Sequence, residues 1–351
     1  MMKSDIFINK NNLMYFNTLR INVKATKIVI INTIKQLIKA WKESQGNNLP
    51  ILLLGEGSNI LFLEDYQGTV ILNRLRGMKI TEHIDSWHLH VSSGELWHLL
   101  VEDTLKKGIL GLENLAMIPG CVGSAPIQNI GAYGVEFEDF CEYVELLDLV
   151  NNHQFRLLAK ECQFKYRDSI FKHDYRKNYY FITAVGLYIN KYWSPNINYS
   201  GLANLNPKTV TAKQIFDTVC YIRSRKLPNP ILIGNAGSFF KNPIIDVEQA
   251  SNLLEDFPDI PYYIPSYGRV KIAAGWLIEQ CNLKGYRNGG AAVHRQNAMI
   301  LINENHATGW DIAILARKVR QKVGEKFNIW LEPEVRFIDM NGEVNALEVI
   351  A

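Results

Sequence analysis

Gly111-Leu112-Glu113-Asn114-Leu115-Ala116-Met117-Ile118-Pro119-Gly120-Cys121-Val122-Gly123-Ser124-Ala125-Pro126-Ile127-Gln128-Asn129-Ile130-Gly131-Ala132-Tyr133-Gly134 holds five glycines, two prolines and one charged residue. A loop this long inside a compact domain is uncommon unless it binds something, because ordering it costs backbone entropy that core burial does not return. Its backbone N–H groups and the amides of Gln128 and Asn129 suit a pyrophosphate and a flat, hydrogen-bonding ring.

Working outward, the pattern on either side is mixed. Ile34, Leu37, Ile38 and Trp41 recur at helical spacing until Gly46-Asn47-Asn48 breaks it. Short strand-like runs follow at residues 51–54, 59–63, 69–72 and 88–91, and a helix is expected over about 95–107. Strands resume at 143–149 and 180–188. This lacks the regular alternation of a doubly wound sheet and reads as α+β.

Residues 190–208, with Pro195, Pro207 and several Asn, mark a connection between halves. Beyond it Thr211 and Gln214 form a capping-box pattern ahead of Ile215, Val219 and Ile222. A last long helix carries Ile312, Leu315, Val319, Val323 and Phe327 and ends near Asn328, before a strand at 334–338. The division expected is an N-terminal extension at 1–16, one domain at 17–190 and a second at 191–351.

At 351 residues, 47% hydrophobic and 21% charged, the chain is an ordinary globular enzyme in composition. The net charge of +3 is dispersed, and the basic stretch Arg317 to Lys326 alternates with Glu325 and apolar residues as a solvated helix face does. That is no nucleic-acid footprint. The five cysteines form no Cys-x-x-Cys pair and fit a reducing, cytoplasmic compartment. No secretory signal and no apolar run of about 18 residues is expected to take the chain to or across a membrane. The histidines, His83, His88, His90 and His98 among them, form no metal pattern in sequence, so no metal is expected.

Four further segments carry candidate chemistry. Gly55-Glu56-Gly57-Ser58-Asn59 follows a strand and can bring N–H groups close to a phosphate, but it lacks the third glycine of a dinucleotide fingerprint and equally reads as a tight turn. Tyr166-Arg167-Asp168 sets a fixed cation beside an aromatic, with an Arg167–Asp168 surface pair as the plain alternative. Gly234-Asn235-Ala236-Gly237-Ser238-Phe239-Phe240-Lys241-Asn242-Pro243 presents a serine without the frame of a nucleophile elbow, either a turn residue or a proton donor. Glu334 opens an apolar strand, where a carboxylate is paired, functional or solvated at the strand end.

Together and in this order, the segments resemble the UDP-N-acetylenolpyruvoylglucosamine reductase (MurB) family from about Asn17 to the C-terminus. The resemblance implies an FAD-binding module of the vanillyl-alcohol-oxidase (PCMH) type, two α+β subdomains holding FAD non-covalently, followed by an α+β substrate domain. It implies a monomeric, cytoplasmic enzyme of peptidoglycan precursor synthesis that uses NADPH to reduce a UDP-linked enolpyruvyl sugar. Asn198-Tyr199-Ser200-Gly201 looks like the longer class, whose tyrosine loop closes over the nucleotide sugar.

Carried across, Ser238 matches the family's proton donor, and Arg167 and Glu334 the pair supporting the enol-type intermediate. FAD contacts are expected from Gly55, Glu56, Gly57, Ser58, Asn59, Ile118, Pro119, Gly120, Gly123, Ser124, Gln128, Asn129, Gly131, Ala132 and Tyr133. Substrate contacts are expected from Tyr166, Tyr199, Lys226 and Asn242. Leu19 stands where an aromatic often follows Asn-Thr, and Asn297 where similar proteins have glutamine. An FAD-dependent oxidase or dehydrogenase of another sugar-like substrate, or a silent UDP-sugar-binding protein, are the rival readings, both disfavoured by the intact trio.

Overall fold

The computed structural model describes residues 11–173, 179–199 and 201–351. Ser200 of the tyrosine segment and the first ten residues of the expected extension lie outside them. The chain divides into two compact units that interleave in sequence, one of residues 27–56 and 68–225, the other of 1–26, 57–67 and 226–351. The expected linear break at 190/191 is therefore not where the chain's own packing divides.

The 27–56/68–225 unit is built on a five-stranded antiparallel sheet in the order His153–Leu158, Cys141–Asp148, Tyr180–Asn190, Ser86–Ser92, Met78–Glu82. Alternation explains its two faces: Leu89 and Val91 are buried on one, His88 and His90 point to the other. The Trp97–Lys106 helix packs on the buried face through Trp97, Leu100 and Val101, joined by Ile215 and Val219 of the Ala212–Lys226 helix. That helix opens with the expected capping box: Gln214 N–H donates to Thr211 Oγ1 (3.2 Å), and Thr211 N–H donates to Gln214 Oε1 (2.9 Å). A second, three-stranded sheet pairs Ile51–Leu54 in parallel with Tyr66–Asn73. The Ile34–Gly46 helix contributes Leu37 and Ala40 to the core alongside it.

The other unit has a four-stranded sheet ordered Gly234–Ser238, Ile300–Asn303, Ala291–Val293, Arg287–Asn288, and a three-stranded one ordered Ile244–Asp246, Arg269–Ile272, Tyr262–Ser266. The Gly309–Phe327 helix buries Ile312, Leu315, Val319, Val323 and Phe327, the stripe its period predicts, and ends at Asn328 in the left-handed conformation (φ 52°). Ile60–Phe62 belongs here because it pairs in parallel with Arg336–Ile338. The strand expected at 334–338 begins at Arg336, so Glu334 lies in a bend just before it instead of opening it.

Candidate active site

In the 1–26/57–67/226–351 unit, Ser238 ends a strand that is deliberately irregular. Register slips between Asn235 and Ser238 against the neighbouring strand, and Gly237 takes φ +70°, a bulge that re-aims the residue after it. Asn235 braces the kink: its Oδ1 accepts from Gly237 N–H (3.0 Å) and its Nδ2 donates to the Pro228 and Ile233 carbonyls (2.9 Å each). Directly after Ser238, the fully buried rings of Phe239, Phe240 and Phe337 lock the backbone, with centroids 5.2 and 6.0 Å apart.

The segment 239–241 then runs antiparallel beside 332–334. Lys241 N–H donates to the Glu332 carbonyl (2.9 Å), Phe240 bridges Pro333, and Glu334 N–H donates to the Phe239 carbonyl (2.8 Å). Asn59 reaches the same place, its Nδ2 donating to the Glu334 carbonyl at 3.2 Å while its own carbonyl accepts from Arg336 N–H at 3.1 Å. Gly57 supplies the turn before it at φ +62°, where a Cβ would fall 2.1 Å from the Phe16 carbonyl oxygen. Asn59, Phe239 and Glu334, far apart in sequence, thus share one hydrogen-bonded patch, with Gly57-Ser58 and Ser238 beside it in the chain.

Two substrate candidates in this unit turn out to have structural duties. Asn242 Oδ1 accepts from Ala274 N–H (3.0 Å), tying it to the start of the Ala274–Gln280 helix. The Lys226 carbonyl accepts from Asn297 Nδ2 (3.3 Å), so the position where a glutamine was expected anchors the end of a candidate phosphate-binding residue. Leu19 is fully buried, and its carbonyl accepts from Asn303 Nδ2 (3.0 Å).

In the 27–56/68–225 unit the long loop is pinned before any ligand arrives. Val122 N–H donates to Glu95 O and Gly123 N–H to Ser93 O (2.8 Å each), and a Cβ on Gly123 would lie 2.5 Å from Ser93 Cβ. Ser124 Oγ donates to Cys121 O (3.0 Å), Trp97 N–H to Gly120 O (3.0 Å) and Met117 N–H to His98 Nδ1 (3.0 Å), holding Ile118-Pro119-Gly120 between two anchors. Gly55 packs so closely on Cys121 that a Cβ would lie 2.8 Å from its Sγ, and Arg74 fixes the same turn through Gly55 O (3.0 Å) and Glu56 Oε1 (3.1 Å). Burial pushes the Cys121 thiol up to about 11, with Glu56 adding to it, so it is an inert neighbour. The side-chain-free glycines let the loop and the Gly55 turn approach their neighbours closely.

Gln128 closes a short 3-10 turn, and Asn129 after it is left-handed (φ 44°) and fully buried. Its amide is engaged inward, donating to Glu136 and Glu138 (2.9 Å each) and accepting from Glu138 N–H (3.0 Å). Asn129 therefore shapes the loop with its side chain and leaves ligand contact to backbone. Gly131-Ala132 pairs with Val135-Glu136, and Arg167 crosses onto it: Nη2 donates to Gly131 O (2.6 Å), Nη1 to Asn129 O (3.3 Å), and Glu136 Oε1 is 3.6 Å away.

Arg167 itself is left-handed (φ 54°) at the tip of a turn closed by reciprocal Lys165–Asp168 backbone hydrogen bonds (3.0 Å each), 5.1 Å from the Tyr166 ring centroid. Asp168 pairs with His173 (3.0 Å). Tyr199, half-exposed, meets the Tyr133 ring edge-on at 5.3 Å.

Sequence reasoning missed Arg223. Its Nε is buried with no hydrogen-bond partner among the described residues, Tyr133 hydrogen-bonds to the guanidinium, and Arg167 is near enough to repel it; burial first, then that repulsion, lower its pKa. A buried guanidinium nitrogen left unsatisfied costs free energy unless an anion meets it. The signal was legible: 215, 219 and 223 fall at i, i+4 and i+8, so a cation stands on the helix's apolar stripe.

Comparison with known proteins agrees with this geometry. The FAD binding domain model matches residues 25–154, and the C-terminal domain model of UDP-N-acetylenolpyruvoylglucosamine reductase matches 229–338. The chain is 57% identical over 335 residues to the UDP-N-acetylenolpyruvoylglucosamine reductase of Pectobacterium atrosepticum, covering 95% of this chain and 97% of that one. It is 57% identical over 341 residues to the Salmonella typhimurium enzyme of the same name, covering 97% and 99%. The MurB crystal structure from Thermus caldophilus superposes with a TM-score of 0.62 at 24% identity, covering 93% of this chain and 97% of that one, a likeness of fold.

The FAD binding domain and the named relatives define a flavin-dependent oxidoreductase of α+β fold. Within that class, the chain belongs to the UDP-N-acetylenolpyruvoylglucosamine reductase family. No helix among the described residues is long and apolar enough to cross a membrane, and no group of three or more His, Cys, Asp or Glu there could hold a metal.

Proposed function

We infer that the chain uses NADPH to reduce the enolpyruvyl ether of UDP-N-acetylglucosamine to UDP-N-acetylmuramate in peptidoglycan precursor synthesis, with FAD held non-covalently by the backbone of Gly55–Asn59 and Ile118–Tyr133. FAD, when bound, supplies the hydride transfer that no side chain can perform. Everything else falls to the chain's own residues.

Reduction of an enolpyruvyl group at its terminal carbon builds negative charge on the neighbouring carbon and its carboxylate. Arg167, fixed by two carbonyls, is a pre-oriented cation for that charge. Arg223 adds a second one whose unsatisfied Nε suits an oxyanion. Ser238 donates a proton to the charged carbon, and the bulge at Gly237 is what holds its hydroxyl in place. Glu334, as an anion, would oppose the developing charge, so it acts either protonated or as an orienting group for water or Arg167.

Tyr199 closes over the nucleotide sugar, with Tyr166, Lys226 and Asn242 at the substrate. NADPH and the sugar nucleotide occupy one site in turn. The enzyme works as a cytoplasmic monomer.

The observation that supports this reading is the hydrogen bond from Glu334 N–H to the carbonyl of Phe239, the residue after Ser238, in a chain of this family. Anaerobic visible absorption of the purified holoenzyme tests it: NADPH bleaches the flavin bands and the enolpyruvyl sugar nucleotide restores them. A flavin reoxidised only by oxygen, and never by that substrate, overturns it.

A further inference from the structure

The exposed face of the five-stranded sheet carries a cavity of about 370 Å³ whose lining includes His83, His88, His90, Lys79, Arg156 and Tyr143. None of these residues is assigned to FAD or substrate above. Histidines that look scattered in sequence are gathered by pairing: His88 and His90 alternate onto one face, with Thr81 and Lys79 opposite them on the edge strand and Tyr188 and Gly186 on the other side. His83 comes against His88, ring centroids 4.6 Å apart.

The floor is built for this arrangement. Gly186 stands opposite Tyr143, and a Cβ there would lie 2.2 Å from the tyrosine ring, so only glycine lets the ring lie across the strand. That brings Tyr143 OH to 2.8 Å from His90 Nδ1. The Arg156 guanidinium stacks 4.1 Å from the same ring's centroid and is steadied by Glu145 (3.1 Å). His88 Nδ1 is 2.9 Å from Glu142 Oε2, the one carboxylate in the lining. Of the remaining charged groups nearby, Glu82 pairs with Lys191 (2.7 Å) and Asp85 accepts from Ser86 Oγ (3.0 Å).

Lys79 and Arg156, the latter paired with Glu145, stand in the lining with Glu142 and the three imidazoles. The cavity is within the range that takes a small metabolite. The imidazoles have no metal-binding geometry among the described residues. We propose that this sheet-face cavity is a second ligand site, binding a phosphate-bearing small molecule between Lys79, His88, His90 and Arg156.

Pyrophosphate and inorganic phosphate, titrated calorimetrically into the full-length holoenzyme, test this. Pyrophosphate binds, and binds more tightly than phosphate if the site spans two phosphoryl groups. In Lys79→Ala/His90→Gln, with flavin content and melting temperature unchanged, that affinity falls by at least about tenfold. The single reversal Lys79→Glu, at an exposed edge position, gives the same loss should the double variant fold poorly. Equal affinity in wild type and both variants sends the ion elsewhere and overturns the proposal, as does the absence of binding to wild type.

Discussion

Asn59 and Glu334, 275 residues apart, are joined by the Asn59 side-chain amide, which donates to the Glu334 carbonyl at 3.2 Å, while the Asn59 carbonyl accepts from Arg336 N–H, two residues further on, at 3.1 Å. The side-chain link fixes the bend that presents Glu334. Asn59→Leu removes it and should cost about 1 kcal/mol of stability, read as a lowered denaturation midpoint at unchanged slope. It should also slow oxidation of reduced flavin by substrate more than reduction by NADPH. An Asn59→Leu enzyme with wild-type stability and kinetics would show the link to be incidental.

The glycine at 123 is a packing requirement and can be tested as one. Its hypothetical Cβ meets Ser93 Cβ at 2.5 Å and Ser93 O at 3.0 Å, so Gly123→Ala must push the loop off the strand that supports it. The expected cost is about 1–3 kcal/mol, the usual scale of overpacking, with weakened FAD retention on gel filtration. Tight FAD and an unchanged melting temperature would mean that the loop relaxes freely.

His98 gives the loop a pH dependence. Its Nδ1 accepts from Met117 N–H at 3.0 Å and its ring stacks on Phe216, so the neutral imidazole is the form that fits. Burial, the largest cause, lowers its pKa below 6.5, with Arg223 also lowering it and Glu102 opposing. A depressed folded pKa means stability that is complete above the unfolded value near 6.5 and is lost as pH falls through the folded one. His98→Gln should flatten this portion of the stability–pH curve below about pH 6.5. Denaturant midpoints at stepped pH for both proteins check the sign.

Much of this was legible because helices and strands announce themselves locally. The Thr211–Gln214 cap, the stripe from Ile312 to Phe327 and the Asn328 stop all depend on neighbours in sequence. The interleaving of the units was not, because it rests on Ile60–Phe62 pairing in parallel with Arg336–Ile338, a register no local pattern encodes. For the same reason the inward duty of the Asn129 amide and the gathering of three histidines over Gly186 appear only once strands are paired. Arg223 was readable and overlooked: a cation on an apolar stripe asks for a partner.

FAD should leave the protein on acid precipitation. The cysteine nearest the Gly55 turn, Cys121, is buried with its thiol pushed up to about 11, so it has little thiolate to form a bond. Yellow supernatant is the expected result. Colour kept in the pellet would require a covalent link, with Cys121 the first residue to map.

Ser238 offers the clearest separation of the two half-reactions, since it is proposed to act only when the substrate carbon is protonated. Ser238→Ala should therefore let NADPH bleach the flavin at the wild-type rate. Reoxidation by the enolpyruvyl sugar should slow by about 10²–10⁴, the usual contribution of a placed general acid. Because the bulge is set by Gly237 and braced by Asn235, neither of which the substitution touches, a folding defect is not the expected cause. Ser238→Cys should recover part of the loss, its thiol donating from nearly the same position. Stopped-flow absorbance resolves each step. If the alanine variant is reoxidised by substrate as fast as the wild type, the serine merely ends a bulged strand, and the proton comes from Glu334 or an ordered water.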